Sequence, residues 1–151
     1  MEVEAPGGRW IVMEAIRKLE QAGYRFELHG EKIKYKFTGP GEPDYNLHVY
    51  FEEIKKDKPE ALKYLRQQKY MALFKQALAE INAIYEEGML HSINEKYPEA
   101  SKEMDYLEKQ LESLLNRAVV GEQVEEEFKS ILEKWKRTLI RLIEEETEQR
   151  R

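Results

Sequence analysis

YRFELHGEKIKYKF, residues 24–37, is the stretch that decides how the first part of this chain folds. Tyr24, Phe26 and Leu28 alternate with Arg25, Glu27 and His29. After Gly30-Glu31, Ile33, Tyr35 and Phe37 alternate with Lys32, Lys34 and Lys36. Alternation on both sides of a two-residue, Gly-containing turn predicts a β-hairpin with one apolar and one basic face. The turn pairs Leu28 with Ile33, Phe26 with Tyr35 and Tyr24 with Phe37. It also sets Glu27 opposite Lys34, so every cross-strand pair reads as compatible. A lone hairpin is marginal in water, so helices must cover the apolar face and leave the basic face for a partner.

Outward from the hairpin, the flanks read as helices. Residues 1–8 end in Pro6-Gly7-Gly8 and predict a flexible lead. Ile11, Val12, Ala15, Ile16 and Leu19 then fall at helical spacing, and Gly23 is a natural stop. Trp10 either caps that helix or stands as an exposed anchor. Residues 38–43, TGPGEP, form a loop. Leu47, Tyr50, Phe51 and Ile54 predict a short helix, and Asp57-Lys58-Pro59-Glu60 opens another. There Asp57 can cap, Pro59 tolerates the first turn, and Glu60 completes a capping box. Residues 9–68 are therefore expected to form an α+β unit of helix, hairpin and two helices.

Residues 69–151 read as all-helical. Met71, Phe74, Leu78, Ile81 and Tyr85 make one apolar stripe that ends near Glu87-Gly88. A short helix is expected over Met89–Lys96, before Tyr97-Pro98. Met104, Leu107, Leu111, Leu114 and Leu115 make a second stripe, broken at Gly121. Val124, Phe128, Ile131, Trp135, Leu139 and Leu142 make a third. Three long amphipathic helices predict an antiparallel bundle, with Phe74, Phe128 and Trp135 in its core. The third stripe, Val124–Ile143, is also long enough to pack against a twin, which makes homodimerisation through this half an expectation. Whether residues 67–70 are a linker or unbroken helix is open on sequence grounds.

Composition narrows the classes of function. The 151 residues include no cysteine, which excludes thiolate catalysis, thiolate metal sites and disulfides. Net charge is −5, against a general nucleic-acid coat. Residues 1–68 are neutral, with 12 Lys+Arg and 12 Asp+Glu; residues 69–151, with 13 and 18, carry the whole excess. The beginning, MEVEAPGGRW, has acidic residues where a signal peptide needs basic ones, and no apolar run approaches a membrane span. A cytoplasmic chain with no membrane partner is expected.

The stretch IRKLEQAGYRFELHGEKIKYKF, the Gly/Pro loop and FEEIKKDKPEALKYLR together resemble the TubC-type N-terminal docking domain of polyketide and peptide synthetases, over about residues 12–66. Leu28-x-Gly30 and the run Lys55-Lys56-Asp57-Lys58-Pro59-Glu60-Ala61-Leu62 carry the resemblance. It implies that the exposed hairpin is a template for a short, often acidic, segment of another protein, and that dimers are an option. A docking domain normally heads a synthetase, whereas no carrier or condensation motif follows here. The whole chain instead resembles stand-alone proteins of plasmids, phages and integrated elements.

The candidate partner-binding residues are accordingly Arg25, Glu27, His29, Lys32, Lys34 and Lys36. An extended peptide adding to the hairpin edge would gain backbone hydrogen bonds, with the lysines selecting acidic side chains. Lysines on an edge strand also serve simply to block aggregation, but four cations against one carboxylate exceed that need. A nucleic-acid-binding accessory role would use the same lysines, which lie roughly 7 Å apart along the strand. It also needs exposed aromatics, and Tyr35 and Phe37 are expected to point into the core. A third reading is a small anti-defence or regulatory inhibitor acting through the acidic half.

No metal or cofactor is expected. His29, His48 and His91 share no ligand spacing, and His29 beside the turn reads as solvated. Glu125-Glu126-Glu127 and Glu144-Glu145-Glu146 read as solvated helix faces, since consecutive helical residues diverge. Glu126 and Glu133 read as ordinary surface pairs with nearby lysines. No P-loop, G-x-G-x-x-G, H-E-x-x-H or G-x-S-x-G occurs. A non-enzymatic protein–protein docking or adaptor module is the function expected.

Overall fold

The computed structural model describes residues 8–151. The lead expected at residues 1–8 lies outside the described residues except for Gly8, which instead opens the first helix. The chain divides into two compact units, residues 1–68 and 69–151, and its architecture is α+β.

In the first unit, helix α1 (Gly8–Gln21) buries Val12, Ala15, Ile16 and Leu19, the stripe its spacing predicts. It ends where Gly23 adopts φ +110. A Cβ there would lie 2.7 Å from the Cα of Gly39, so this crossing at the hairpin base requires glycine for both conformation and space. Strands β1 (Tyr24–His29) and β2 (Lys32–Phe37) pair antiparallel in the expected register, Phe26 opposite Tyr35 and Glu27 opposite Lys34. Gly30 takes φ +64 and no non-glycine residue among the described ones has positive φ, which matches a II′ turn with glycine first. A 3-10 turn at Tyr45–Leu47 leads into α2 (His48–Lys56). Asp44 caps that turn, accepting from Asn46 N–H at 2.9 Å. Ile54, Ala61, Tyr64 and Leu65 complete a core with α1, and Tyr24, Phe26, Leu28, Ile33, Tyr50 and Phe51 pack around it.

Helix α3 (Lys58–Asn82) is unbroken through residues 67–70, which settles that point in favour of helix. Pro59 sits in its first turn, but the expected capping box does not form. Asp57 closes α2 instead, and its carboxylate lies against Gly8 at the start of α1, where a side chain on residue 8 would collide with it. That places a negative charge by the positive end of a helix dipole. Glu60 pairs with Lys63 at 3.3 Å rather than reaching back.

The second unit combines residues 69–82 of α3 with α4 (Met89–Lys96), α5 (Pro98–Val119) and α6 (Glu125–Arg150). Trp135, midway along α6, donates to Glu108, midway along α5, at 3.3 Å, as two antiparallel helices joined by a short loop require. Tyr70 meets Phe128 at 5.0 Å and Phe74 meets Trp135 at 5.2 Å, so α3 and α6 run in the same direction, up-down-up around α5. Phe128, Leu132, Trp135, Leu142 and Ile143 are buried in this core together with Met89, Ile93, Leu107 and Leu111. The third stripe is thus packed within its own unit, and a twin would have to use other faces.

Glu146 corrects the reading of the second glutamate triplet. It is 1% exposed, not solvated, because it continues the buried stripe three and four residues beyond Ile143 and Leu142. Lys96 of α4 reaches both of its oxygens at 3.0 and 3.2 Å, and Arg150 donates at 3.3 Å. The Lys96 hydrogen bond, against the cost of burial, holds the Glu146 carboxyl below its ordinary range. Lys96 also donates to Gln149, which donates to Tyr97, so the network ties α4 to the end of α6. Glu133, by contrast, is the surface residue expected, paired to Lys136 and Arg137 at 3.0 and 2.8 Å.

Candidate functional site

The six candidate residues share one face of the hairpin, all of them exposed. Three pairs stand directly opposite across the ladder: Arg25 with Lys36, Glu27 with Lys34, and His29 with Lys32. The first is a like-charge pair, contrary to the expectation that every cross-strand pair is compatible. Like charges directly opposite destabilise a sheet by about 0.2–1 kcal/mol. Glu27, the face's one carboxylate, turns along its own strand to His29, 3.3 Å away, rather than across to Lys34. His29 is solvent-exposed, as its place beside the turn predicts, with Glu27 beside it. Among the described residues, Arg25, Lys32, Lys34 and Lys36 form no ion pair, while most lysines on the helices do.

Among the described residues the hairpin is the whole sheet, so β2 is paired with them on one edge only. A two-residue loop makes His29 and Lys32 a hydrogen-bonded pair, and the alternation continues through Thr38 N–H donating to Gly23 O at 2.7 Å. The N–H and C=O of Ile33 and Tyr35 consequently point to the open edge, where no described residue meets them.

The opposite face departs from its sequence reading at one residue. Tyr35 shares that face with Ile33 and Phe37 but is 55% exposed rather than in the core. Its ring leans on Phe51 of α2, with centroids 4.4 Å apart and planes at 38°. Phe51 also meets Tyr24 edge-on at 5.0 Å, so this one side chain joins both strands to α2. Between β2 and α2 lies a groove of about 320 Å³, floored by Phe26, Ile33, Tyr35, Phe51 and Ile54. Lys32, Lys34, Lys55 and Lys58 rim it, with no carboxylate in the lining. Strand alternation does not point to Lys55 and Lys58, because they belong to α2 and α3, outside the alternating strands. Trp10, at the start of α1, is 54% exposed and lies apart from this lining.

No cluster of three metal-ligating side chains occurs among the described residues. No helix among them is long and apolar enough to cross a membrane. No family model, curated protein or solved structure matches the chain.

Proposed function

We propose that the first unit is a non-enzymatic docking module, which binds an acidic, extended segment of a partner protein through the hairpin. The observation that carries this reading is the set of four cations, Arg25, Lys32, Lys34 and Lys36, which form no ion pair among the described residues and include a like-charge pair across the ladder. The open edge of β2 adds backbone donors and acceptors for a strand laid alongside. The test is selection of displayed decapeptides on the full chain, followed by binding of the best peptide to wild type and to the Lys32→Glu/Lys34→Glu/Lys36→Glu variant. Acidic peptides should emerge, and the folded variant should lose them. Unchanged binding by that variant removes the hairpin from the function.

One observation favours a second reading. Tyr35 is exposed beside lysines, which supplies the aromatic surface that nucleic-acid binding requires. The second reading expects affinity for single strands that falls steeply with salt and indifferently to sequence, whereas docking expects dependence on the partner's side-chain order.

A further inference from the structure

We infer that the groove between β2 and α2 is an anchor pocket for one large apolar side chain carried within the partner's acidic segment, an inference that rests on the docking reading. The floor supplies the first argument. Phe26, Ile33, Tyr35, Phe51 and Ile54 are all apolar or aromatic, and Tyr35 leaves more than half its surface in water although it stands on the face that should be covered. An aromatic ring held against Phe51 with a free face is a surface an apolar group can cover at small entropic cost, because the ring is already placed.

The rim supplies the second. Every charged residue lining the groove is a lysine: Lys32, Lys34, Lys55 and Lys58. Among the described residues, Lys55 alone of the four forms an ion pair, with Glu52 at 3.5 Å on the exposed surface of α2. An apolar occupant flanked by carboxylates fits both parts, whereas a basic segment would be repelled. The volume of about 320 Å³ stands at the lower end of ligand-sized clefts, about 300–1,000 Å³, and suits one side chain rather than an element of structure.

Strand geometry fixes the order of residues in the occupant. A segment hydrogen-bonded to the outward groups of Ile33 and Tyr35 alternates its side chains between the two hairpin faces. If one residue enters the groove, its immediate neighbours fall on the face of Lys32, Lys34 and Lys36. The recognised pattern is therefore an apolar residue with Asp or Glu on both sides. Lys55 and Lys58 meet a carboxylate two positions away, on the groove side.

Display of random decapeptides on the full chain tests this, with fluorescence anisotropy of the best peptide. The expected peptides carry Leu, Ile, Phe or Trp between acidic neighbours. Changing that residue to Ala should weaken binding by about tenfold or more. Tyr35→Ala, and Lys55→Glu with Lys58→Glu, should each do the same while the melting curve stays that of a folded chain. Peptides that are acidic without an anchor overturn the pocket and leave docking intact. So does binding lost in the Lys32/Lys34/Lys36 variant yet insensitive to the peptide's Ala change. Failure to enrich any acidic peptide overturns both. A labelled oligothymidine 20-mer that binds more tightly than every selected peptide, and depends on Tyr35, overturns both in favour of single-stranded nucleic acid.

Discussion

Phe51→Ala tests the statement that a single side chain of α2 holds the hairpin in place. Phe51 contacts Tyr24, Phe26 and Tyr35, at 5.0, 6.5 and 4.4 Å between ring centroids. Truncating a fully buried Phe costs about 3–5 kcal/mol. Phe51 is half-buried, so about 2 kcal/mol is expected, most of it lost from these ring contacts. At about 0.05–0.15 kcal/mol per residue, a unit of this size holds roughly 3–9 kcal/mol, so the change removes a large share. The corresponding fall in melting temperature is about 8–16 °C for a small domain. Amide exchange gives the sharper measurement, because β2 amides should lose protection before those of α1. Val49→Ala, an exposed position on the same helix, should cost about 0.5 kcal/mol or less. If Phe51→Ala costs no more than Val49→Ala, or leaves β2 protection unchanged, the hairpin is held by something else.

Two further changes test the fold. Gly23→Ala forces a side chain into φ +110 and against Gly39, so about 2 kcal/mol or more should be lost. Gly30→Ala, with open space around it, should cost about 1 kcal/mol; equal losses in thermal melts would remove the close-approach argument. Glu146→Gln tests the buried ion cluster through pH. Because the folded state holds this carboxyl below its ordinary 4.5, its contribution is complete above that value and is lost as pH falls through the lower folded value. Lys96 and Arg150 are the groups that meet it, and Lys96 is the main cause. Urea midpoints from pH 7 down to pH 3 should therefore fall less steeply in the Gln variant than in wild type. Parallel acid limbs would show that the cluster contributes nothing.

Much of this architecture is legible in the sequence because its signals are local. The hairpin register follows from one two-residue turn, and the ends of α1 and α5 follow from Gly23 and Gly121, both at positive φ; α3, whose stripe predicts an end near Gly88, stops at Asn82 instead, and Gly88 opens α4. The sequence leaves the continuity of α3 open because residues 67–70 contain neither a breaker nor a strong stripe. What alternation could not reveal was coverage. It assigns Tyr35 to the apolar face, but only the packing of the nine-residue α2 decides that Phe51 reaches part of that face and leaves Tyr35 wet. Glu146 departs from its solvated-face expectation for a related reason. A carboxylate at a core position of the 3.6-residue period signals burial only once a cation such as Lys96, fifty residues away, is known to meet it. Asp57 had two positive helix ends within reach, and the capping rule considers only the nearer in sequence.

The like-charge pair offers a way to separate a functional face from a protective one. A strand that needs lysines only to stay soluble has no reason to set Arg25 directly across from Lys36. At roughly 5–6 Å in water the repulsion is about 0.7 kcal/mol, and Lys36→Glu would convert it into attraction of similar size. The expected gain in hairpin stability is about 1 kcal/mol, near the upper limit for cross-strand pairs. Stabilising changes at a working surface commonly reduce function. Lys36→Glu should thus raise the melting temperature of the first unit by a few degrees and weaken an acidic peptide at least several-fold, since one attraction becomes a repulsion. Differential melting and peptide anisotropy on the same preparation read both. A variant that is more stable and binds as well as wild type would mean that the basic face merely keeps an edge strand apart from its neighbours. A variant that gains stability while losing its peptide would show that the repulsion is retained for the partner's charge.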